Sequence, residues 1–283
     1  MATFITPDGV KLFYETQGKG PPILFVHEFG GDYRSWARQV SALKSKHLCI
    51  TYIARGFWPS DAPDNEAAYG QRQASSDLLA ILDHLELQAV HLVGTSMGSF
   101  TSLDVALNHP QRVLSLTLVG NSSGPRNDTE TEHFRQNWIG EEVRLRQAHG
   151  PAGAVKVLRN DPAYQSCQAR DPEGWAAYAA NLEQQPVHGA IHLLKTLHWN
   201  RVSLFDEADR IGAFSKPVLL VTGADDYYLV GETNRFLKRT LPHCTHLHFE
   251  DTGHLANIER APEFNTALDS HIEQASLQPD RFQ

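Results

Sequence analysis

The chain is poor in cysteine, in long apolar runs and in basic charge. It has 3 cysteines among 283 residues. That odd and sparse set, Cys49, Cys167 and Cys244, argues against a disulfide framework and for a reducing compartment. Cys49 and Cys244 lie in or beside apolar runs and are expected as small core residues. No segment approaches the ~18 consecutive apolar residues of a membrane span. No basic stretch followed by an apolar run opens the chain, so no secretory signal is expected and the expected location is cytoplasmic. Asn121-Ser122-Ser123 and Asn127-Asp128-Thr129 are therefore not read as glycosylation sites. Lys and Arg total 25 against 33 Asp and Glu, a formal net charge of −8, with a pI of about 6.0. Without a basic cluster, that balance argues against nucleic acid or an anionic membrane as a partner.

What is present is an ordinary globular composition, 41% hydrophobic and 20% charged, long enough for one large domain or a domain with an insertion. Residues 10–16, preceded by Asp8-Gly9, read as one arm of an N-terminal hairpin. Short continuous apolar runs at 23–27, 49–53, 90–93, 113–119, 217–222 and 245–249 read as strands. Residues 34–45, 71–85 and 99–107 show helical spacing, with Leu78, Leu79, Leu82 and Leu85 on one face. Continuous apolar strands alternating with helices indicate an α/β fold: a mainly parallel central sheet with helices on both faces. The alternation fails between 121 and 203. There, 130–149, 152–159, 174–182 and 187–197 read as helices, punctuated by Pro and Gly. So long an interval is not a plain connection. It is expected to be a helical cap (121–203) inserted into a core formed by 1–120 and 204–283.

Gly94-Thr95-Ser96-Met97-Gly98 has the form G-x-S-x-G and lies between the strand at 90–93 and the helix starting at Ser99. Strand, sharp turn, helix is the context this pattern requires. A serine in a strained turn needs neighbours without bulk, and the following helix N-terminus favours developing negative charge. On its own the pattern is also an ordinary glycine-rich turn. A serine becomes a nucleophile only when a base takes its proton and an acid orients that base. Candidates follow in the order this architecture uses: Asp225 and Asp226 after the strand at 217–222, then His254 after the strand at 245–249. Strand carboxyl ends are where such sites collect. Two backbone N–H donors are needed for an oxyanion. We assign them to Met97 and, in the loop His27-Glu28-Phe29-Gly30-Gly31, to Phe29.

These landmarks resemble the α/β-hydrolase family, of the capped serine ester-hydrolase type. The loop at 27–31 is similar to the family's His-Gly-x-Gly oxyanion loop, Arg55-Gly56-Phe57-Trp58-Pro59-Ser60-Asp61 to its Arg-Gly-x-Gly-x-Ser turn, and 94–98 to its elbow. Gly223-Ala224-Asp225-Asp226 and Gly253-His254-Leu255 resemble its acid and base loops. The resemblance favours Asp226 over Asp225 as the acid. It implies a Ser96–His254–Asp226 triad and hydrolysis of a small or medium carboxylic ester, or a similar acyl compound, through an acyl-enzyme. Relatives that cleave carbon–carbon bonds, lactones or amides, and receptor-like members that bind without turnover, are the alternatives. Two positions depart from the pattern. Glu28 stands where the oxyanion loop has glycine, and is expected to turn away and pair with Arg55, the alternative being contact with substrate. Trp58-Pro59 interrupts the Arg-Gly turn. Trp58, Trp138, Trp199, Tyr227 and Leu255 are expected along a substrate pocket. His188 and His192, and the histidines at 243, 246 and 248, lack a matching carboxylate or cysteine pattern, so no metal is expected. No cofactor is implied, a small-molecule substrate is the expected partner, and nothing indicates a homo-oligomer.

Overall fold

Eight strands form one sheet in the order β1-β2-β4-β3-β5-β6-β7-β8, in a computed structural model that describes residues 2–277. The strands are β1 (Ala2–Ile5), β2 (Lys11–Gln17), β3 (Pro22–Val26), β4 (Leu48–Tyr52), β5 (Val90–Thr95), β6 (Val113–Val119), β7 (Val218–Gly223) and β8 (Cys244–Phe249). β1 and β2 pair as an antiparallel hairpin with Ala2 opposite Tyr14, and β2 pairs antiparallel with β4. All other pairings are parallel. β5 and β7 are buried along their whole length, as expected of parallel strands covered on both faces. Alternate residues of β3 feed two cores. Leu24 and Val26 pack with Leu78, Ile81 and Leu82 of the helix Gln71–His84, while Ile23 and Phe25 pack with Trp36, Phe264 and Leu268 on the other face. Each fully buried Leu or Ile contributes about 2 kcal/mol of hydrophobic stabilisation.

Two helices that periodicity did not single out complete the layers, Tyr228–Thr240 and Ala261–Leu277. β8 is the edge strand and only partly buried, with His248 exposed. His246 and His248 both contact Thr222 Oγ1, at 2.7 and 2.9 Å. Among the described residues no group of three or more His, Cys, Asp or Glu is placed to hold a metal ion, and no helix is long and apolar enough to cross a membrane.

Between β6 and β7 the described residues form no strand; helices run at Asp128–His133, Glu141–His149, Pro151–Asn160, Pro162–Arg170, Pro172–Leu182 and Val187–Leu193, with π-helical turns at Phe134–Gly140 and Leu194–His198 and short helical turns at Leu204–Glu207 and Ala208–Gly212. The helix Pro162–Arg170 was not expected from the sequence. Asp161 explains it: its Oδ1 accepts the Ala163 N–H at 2.9 Å, and Pro162 at the first helical position is pre-set for helix. Asp171 and Pro172 repeat the device for the next helix. The insertion has its own core of Val155, Tyr164, Cys167, Trp175, Tyr178 and Leu182, continuous with Leu255 and Ile258 of the sheet domain.

Candidate active site

Ser96 lies at the turn between β5 and the helix Met97–Asn108, with φ +51° and ψ −114°. A non-glycine residue held there costs on the order of 1–3 kcal/mol, and such strain collects at functional sites. The two flanking glycines permit the turn. A Cβ on Gly94 would come within 2.4 Å of Gly98 O, and one on Gly98 within 2.2 Å of Val26 O. The helix N-terminus therefore seats directly against the end of β3, which brings the Met97 amide beside the loop at 27–31. The Ser96 N–H donates to Val119 O at 2.9 Å, and Ser99 Oγ donates to Ser96 O at 2.6 Å, so the strained turn is held from both sides.

The loop after β3 is organised by His27. The Ala54 N–H donates to His27 Nε2 at 3.0 Å, so the proton lies on Nδ1, which donates to Glu28 O at 2.8 Å. Burial pushes this imidazole below its ordinary pKa, which keeps it neutral in this bridging role. His254 and Asp226, from the loops after β8 and β7, meet at 2.8 Å between Nδ1 and Oδ1. The Tyr227 N–H donates to the same Oδ1 at 2.7 Å. Gly120, at the end of β6, leaves room for the pair: a Cβ there would lie 3.2 Å from the imidazole and 3.3 Å from Asp226 Oδ2. Burial would lower the His254 pKa, but the charge and hydrogen bond of Asp226, with Glu28 and Asp161 adding, hold it above the ordinary histidine value. Asp225 is exposed, and its backbone N–H donates to Thr252 O at 2.9 Å.

The helical insertion grips the histidine loop. The His254 N–H donates to Ala163 O at 2.8 Å, and Gly253 is required there because a Cβ would fall 2.1 Å from that oxygen. Ser166 and Arg170 bind Glu259 at 3.0 and 3.2 Å. Tyr164, Tyr178 and Asp161 reach the same region without any motif to announce them. The Tyr164 and Tyr227 rings lie 5.7 and 5.1 Å from the His254 ring, and the Tyr227 hydroxyl donates to Asp161 Oδ2 at 2.7 Å. A cleft of about 520 Å³ opens on the far side of Asp226, lined by Leu145, Val157, Asp161, Asp226 and Tyr227 among others.

The partner expected for Glu28 is not the one found. Arg55 is committed to Asp77 through Nε and Nη2, at 2.8 and 2.6 Å, and to Asp8. Glu28 instead is 1% exposed and accepts from Ser35 Oγ at 2.8 Å. Its Oε2 is buried with no hydrogen-bond partner. Gly31 exists for this carboxyl, since a Cβ there would lie 2.0 Å from Oε1. Burial raises its pKa from the ordinary 4.5 to about 7. Between those pH values the folded chain holds a proton that the unfolded chain has released, so this group's contribution to stability is lost as pH rises from about 4.5 to 7. Glu28→Gln cannot ionise. Its stability relative to wild type should therefore grow by roughly 3 kcal/mol between pH 4.5 and pH 8, read by urea melts at each pH. A difference that stays flat would place Glu28 at an ordinary carboxylate pKa.

The aromatic residues expected along a pocket divide. Tyr227 stands against His254, and Leu255 is fully buried beside it. Trp138 touches His198, ring centroids 5.3 Å apart, and Trp199 lies under Arg135 at 5.0 Å. Trp58 is 53% exposed, and its backbone N–H donates to Gln185 Oε1 at 2.9 Å.

The model of the alpha/beta hydrolase fold family matches residues 21–261. The chain belongs to this family. Within it, 3-oxoadipate enol-lactonase 1 of Acinetobacter baylyi is 25% identical over 244 residues, covering 86% of this chain and 85% of that one. Among solved structures of the hydrolase fold, the enol-lactonase from Burkholderia xenovorans superposes with a TM-score of 0.83 at 20% identity, covering 96% of this chain and all of the other. A thermophilic esterase from Thermogutta terrifontis superposes at 0.82 with 23% identity over 96% of this chain and 97% of that one.

Proposed function

We propose that this chain is a serine hydrolase of carboxylic esters, lactones included, working through an acyl-enzyme. The observation that carries the reading is the strained Ser96 at a helix N-terminus, together with the buried His254–Asp226 pair supplied from the ends of β8 and β7. With Asp226 accepting from Nδ1–H, His254 presents Nε2 as a free acceptor. Ser96 Oγ transfers its proton to that nitrogen and bonds to the acyl carbon, whose oxygen becomes the oxyanion. The amides of Met97 and Phe29 are the donors for it. The imidazolium then gives its proton to the leaving oxygen as the acyl C–O bond breaks. Water repeats the sequence with His254 as base, releasing the acid and restoring Ser96. In a lactone the leaving oxygen stays on the same molecule. The names of relatives in this fold, an enol-lactonase and an esterase, support acyl–oxygen cleavage, and relatives named putative carbamate hydrolases at 25–29% identity make cleavage of a carbamate the second reading. The inserted segment 121–203 is read as the cap that shapes the substrate pocket.

The test is intact mass after treatment with a fluorophosphonate. One adduct is expected on the wild type and none on Ser96→Ala. A folded wild type that takes no adduct overturns the reading in favour of a ligand-binding protein with an unactivated serine. A labelled enzyme then goes to a panel of aryl esters, lactones, amides and ring-cleavage products.

A further inference from the structure

Within the inserted segment lies a group of buried hydrogen-bond donors with nothing to accept from them. Arg201 follows the last π-helical turn. Its Nη2 contacts His198 Nδ1 at 2.8 Å, and its guanidinium sits 4.9 Å over the Phe100 ring, one helical turn after Ser96, whose O accepts the Phe100 N–H. Since a guanidinium only donates, His198 Nδ1 accepts, and His198 is the neutral tautomer with its proton on Nε2. His198 is 2% exposed, and burial together with the charges of Arg201 and Arg146 keeps its pKa well below the ordinary value. The His198 ring packs edge-on against Phe29, centroids 5.0 Å apart, and the Arg146 guanidinium lies 5.0 Å from the same Phe29 ring.

Three donors of this group have no partner: Arg201 Nε, His198 Nε2 and Arg146 Nη1 are all buried and unbonded. The charges are also uneven. Arg146 is neutralised by Glu142, whose Oε1 accepts from both Nε and Nη2. Among the described residues no carboxylate pairs with Arg201. Burial lowers its pKa only to about 10, so it stays cationic at neutral pH. Arg201 as a residue is partly exposed, but its Nε is buried with no acceptor in place of the water it has lost. Three buried donors, one net positive charge and no acceptor are complementary to an anion with several lone pairs, and the planar guanidinium suits a carboxylate.

We propose that Arg201, with His198 and Arg146 beside it, binds a free carboxylate carried by the substrate, so that the preferred substrate is a half-ester or lactone of a dicarboxylic acid. The inference rests on the serine-hydrolase reading and gives that site its substrate class. In this proposal the carboxylate lies beside the Phe29 and Phe100 rings, and the scissile carbonyl lies at Ser96, one helical turn before Phe100. Arg201 is here a specificity residue and takes no part in proton transfer.

The experiment compares 4-nitrophenyl half-esters of succinate, glutarate and adipate with the same compounds capped as methyl esters at the far carboxyl. For at least one chain length, wild-type kcat/KM for the free carboxylate should exceed that for the capped compound by about 10- to 100-fold, the range of a charged hydrogen-bonded contact. In Arg201→Met that ratio should fall to about one. Arg201→Lys should keep part of the preference. A wild type that never prefers the free acid overturns the proposal without any variant, as does an Arg201→Met enzyme that keeps the preference. Failure of the underlying reading is seen separately: if fluorophosphonate leaves Ser96 unlabelled, the serine chemistry is wrong, whereas a labelled enzyme indifferent to the carboxylate refutes only the anion site. Calorimetric titration of Ser96→Ala with glutarate gives a readout free of turnover, with binding expected and its loss expected in Ser96→Ala/Arg201→Met.

Discussion

Asp226→Asn should lower kcat for an aryl ester by about 10⁴-fold while the protein stays folded. Asp226 Oδ1 accepts from His254 Nδ1 at 2.8 Å, which fixes the tautomer whose Nε2 is free to take a proton. An asparagine amide in that position can donate to Nδ1 instead, which moves the imidazole proton to Nε2, so that in the proposed mechanism Ser96 would meet a donor rather than a base. Loss of the carboxylate charge also removes the main attraction that raises the His254 pKa against the effect of burial. The acid limb of kcat/KM in the wild type should therefore lie above the ordinary histidine value of about 6.5, since the protonated ring cannot act as base, and what activity remains in Asp226→Asn should have its acid limb at lower pH. Asp225→Asn is the internal control: its side chain is exposed, and both kcat and the pH profile should be unchanged. Equal losses in the two variants would remove Asp226 from the role proposed for it. Steady-state kinetics from pH 5 to 9, with the fluorophosphonate labelling rate as a second readout, decide the matter.

Arg55→Ala should destabilise the fold by about 3–5 kcal/mol. Arg55 is 2% exposed and Asp77 1%. The pair is bidentate, and Arg55 Nη1 donates to Ala68 O at 2.7 Å as well. Removing the guanidinium strands the Asp77 carboxylate in a dry site and leaves Ala68 O without its donor, and it is that uncompensated charge, more than the lost attraction, that sets the size of the effect. Asp8, the third member, is half exposed, and Asp8→Ala should cost less than about 1 kcal/mol. Urea unfolding at pH 7 measures both. An Arg55→Ala loss no larger than that of Asp8→Ala would mean that water reaches the pair. Activity is informative alongside, because Gly56 supports the insertion: its O lies 2.3 Å from a Cβ built on Gly189, so a loosened Arg55 turn should also weaken the seat of the helix Val187–Leu193.

The sheet and its Ser96 turn are legible in the chain itself because their requirements are local. A continuous apolar run of Val90 to Val93 is what a strand buried on both faces needs, and Gly94 and Gly98 answer steric demands made within a single strand–turn–helix unit. Asp226 and His254 are likewise placed by the strands that precede them, so their order along the chain is enough to bring them forward as candidates. Edges and partners are another matter. The helix Pro162–Arg170 hides behind a capping residue rather than an apolar stripe, and β8 keeps polar residues such as His248 that an edge strand tolerates. Glu28 looked destined for Arg55 because both are charged and their loops adjoin; the fold gave Arg55 two other carboxylates and left Glu28 to Ser35 and a dry pocket. The donors of His198, Arg201 and Arg146 belong to segments far from Phe29 and Phe100 in the chain, and nothing in their spacing announces that they meet. Local sequence determined where the chain turns and which side chains are offered at the strand ends. Tertiary structure decided which charges are compensated, because burial and the identity of a partner depend on segments that only packing brings together.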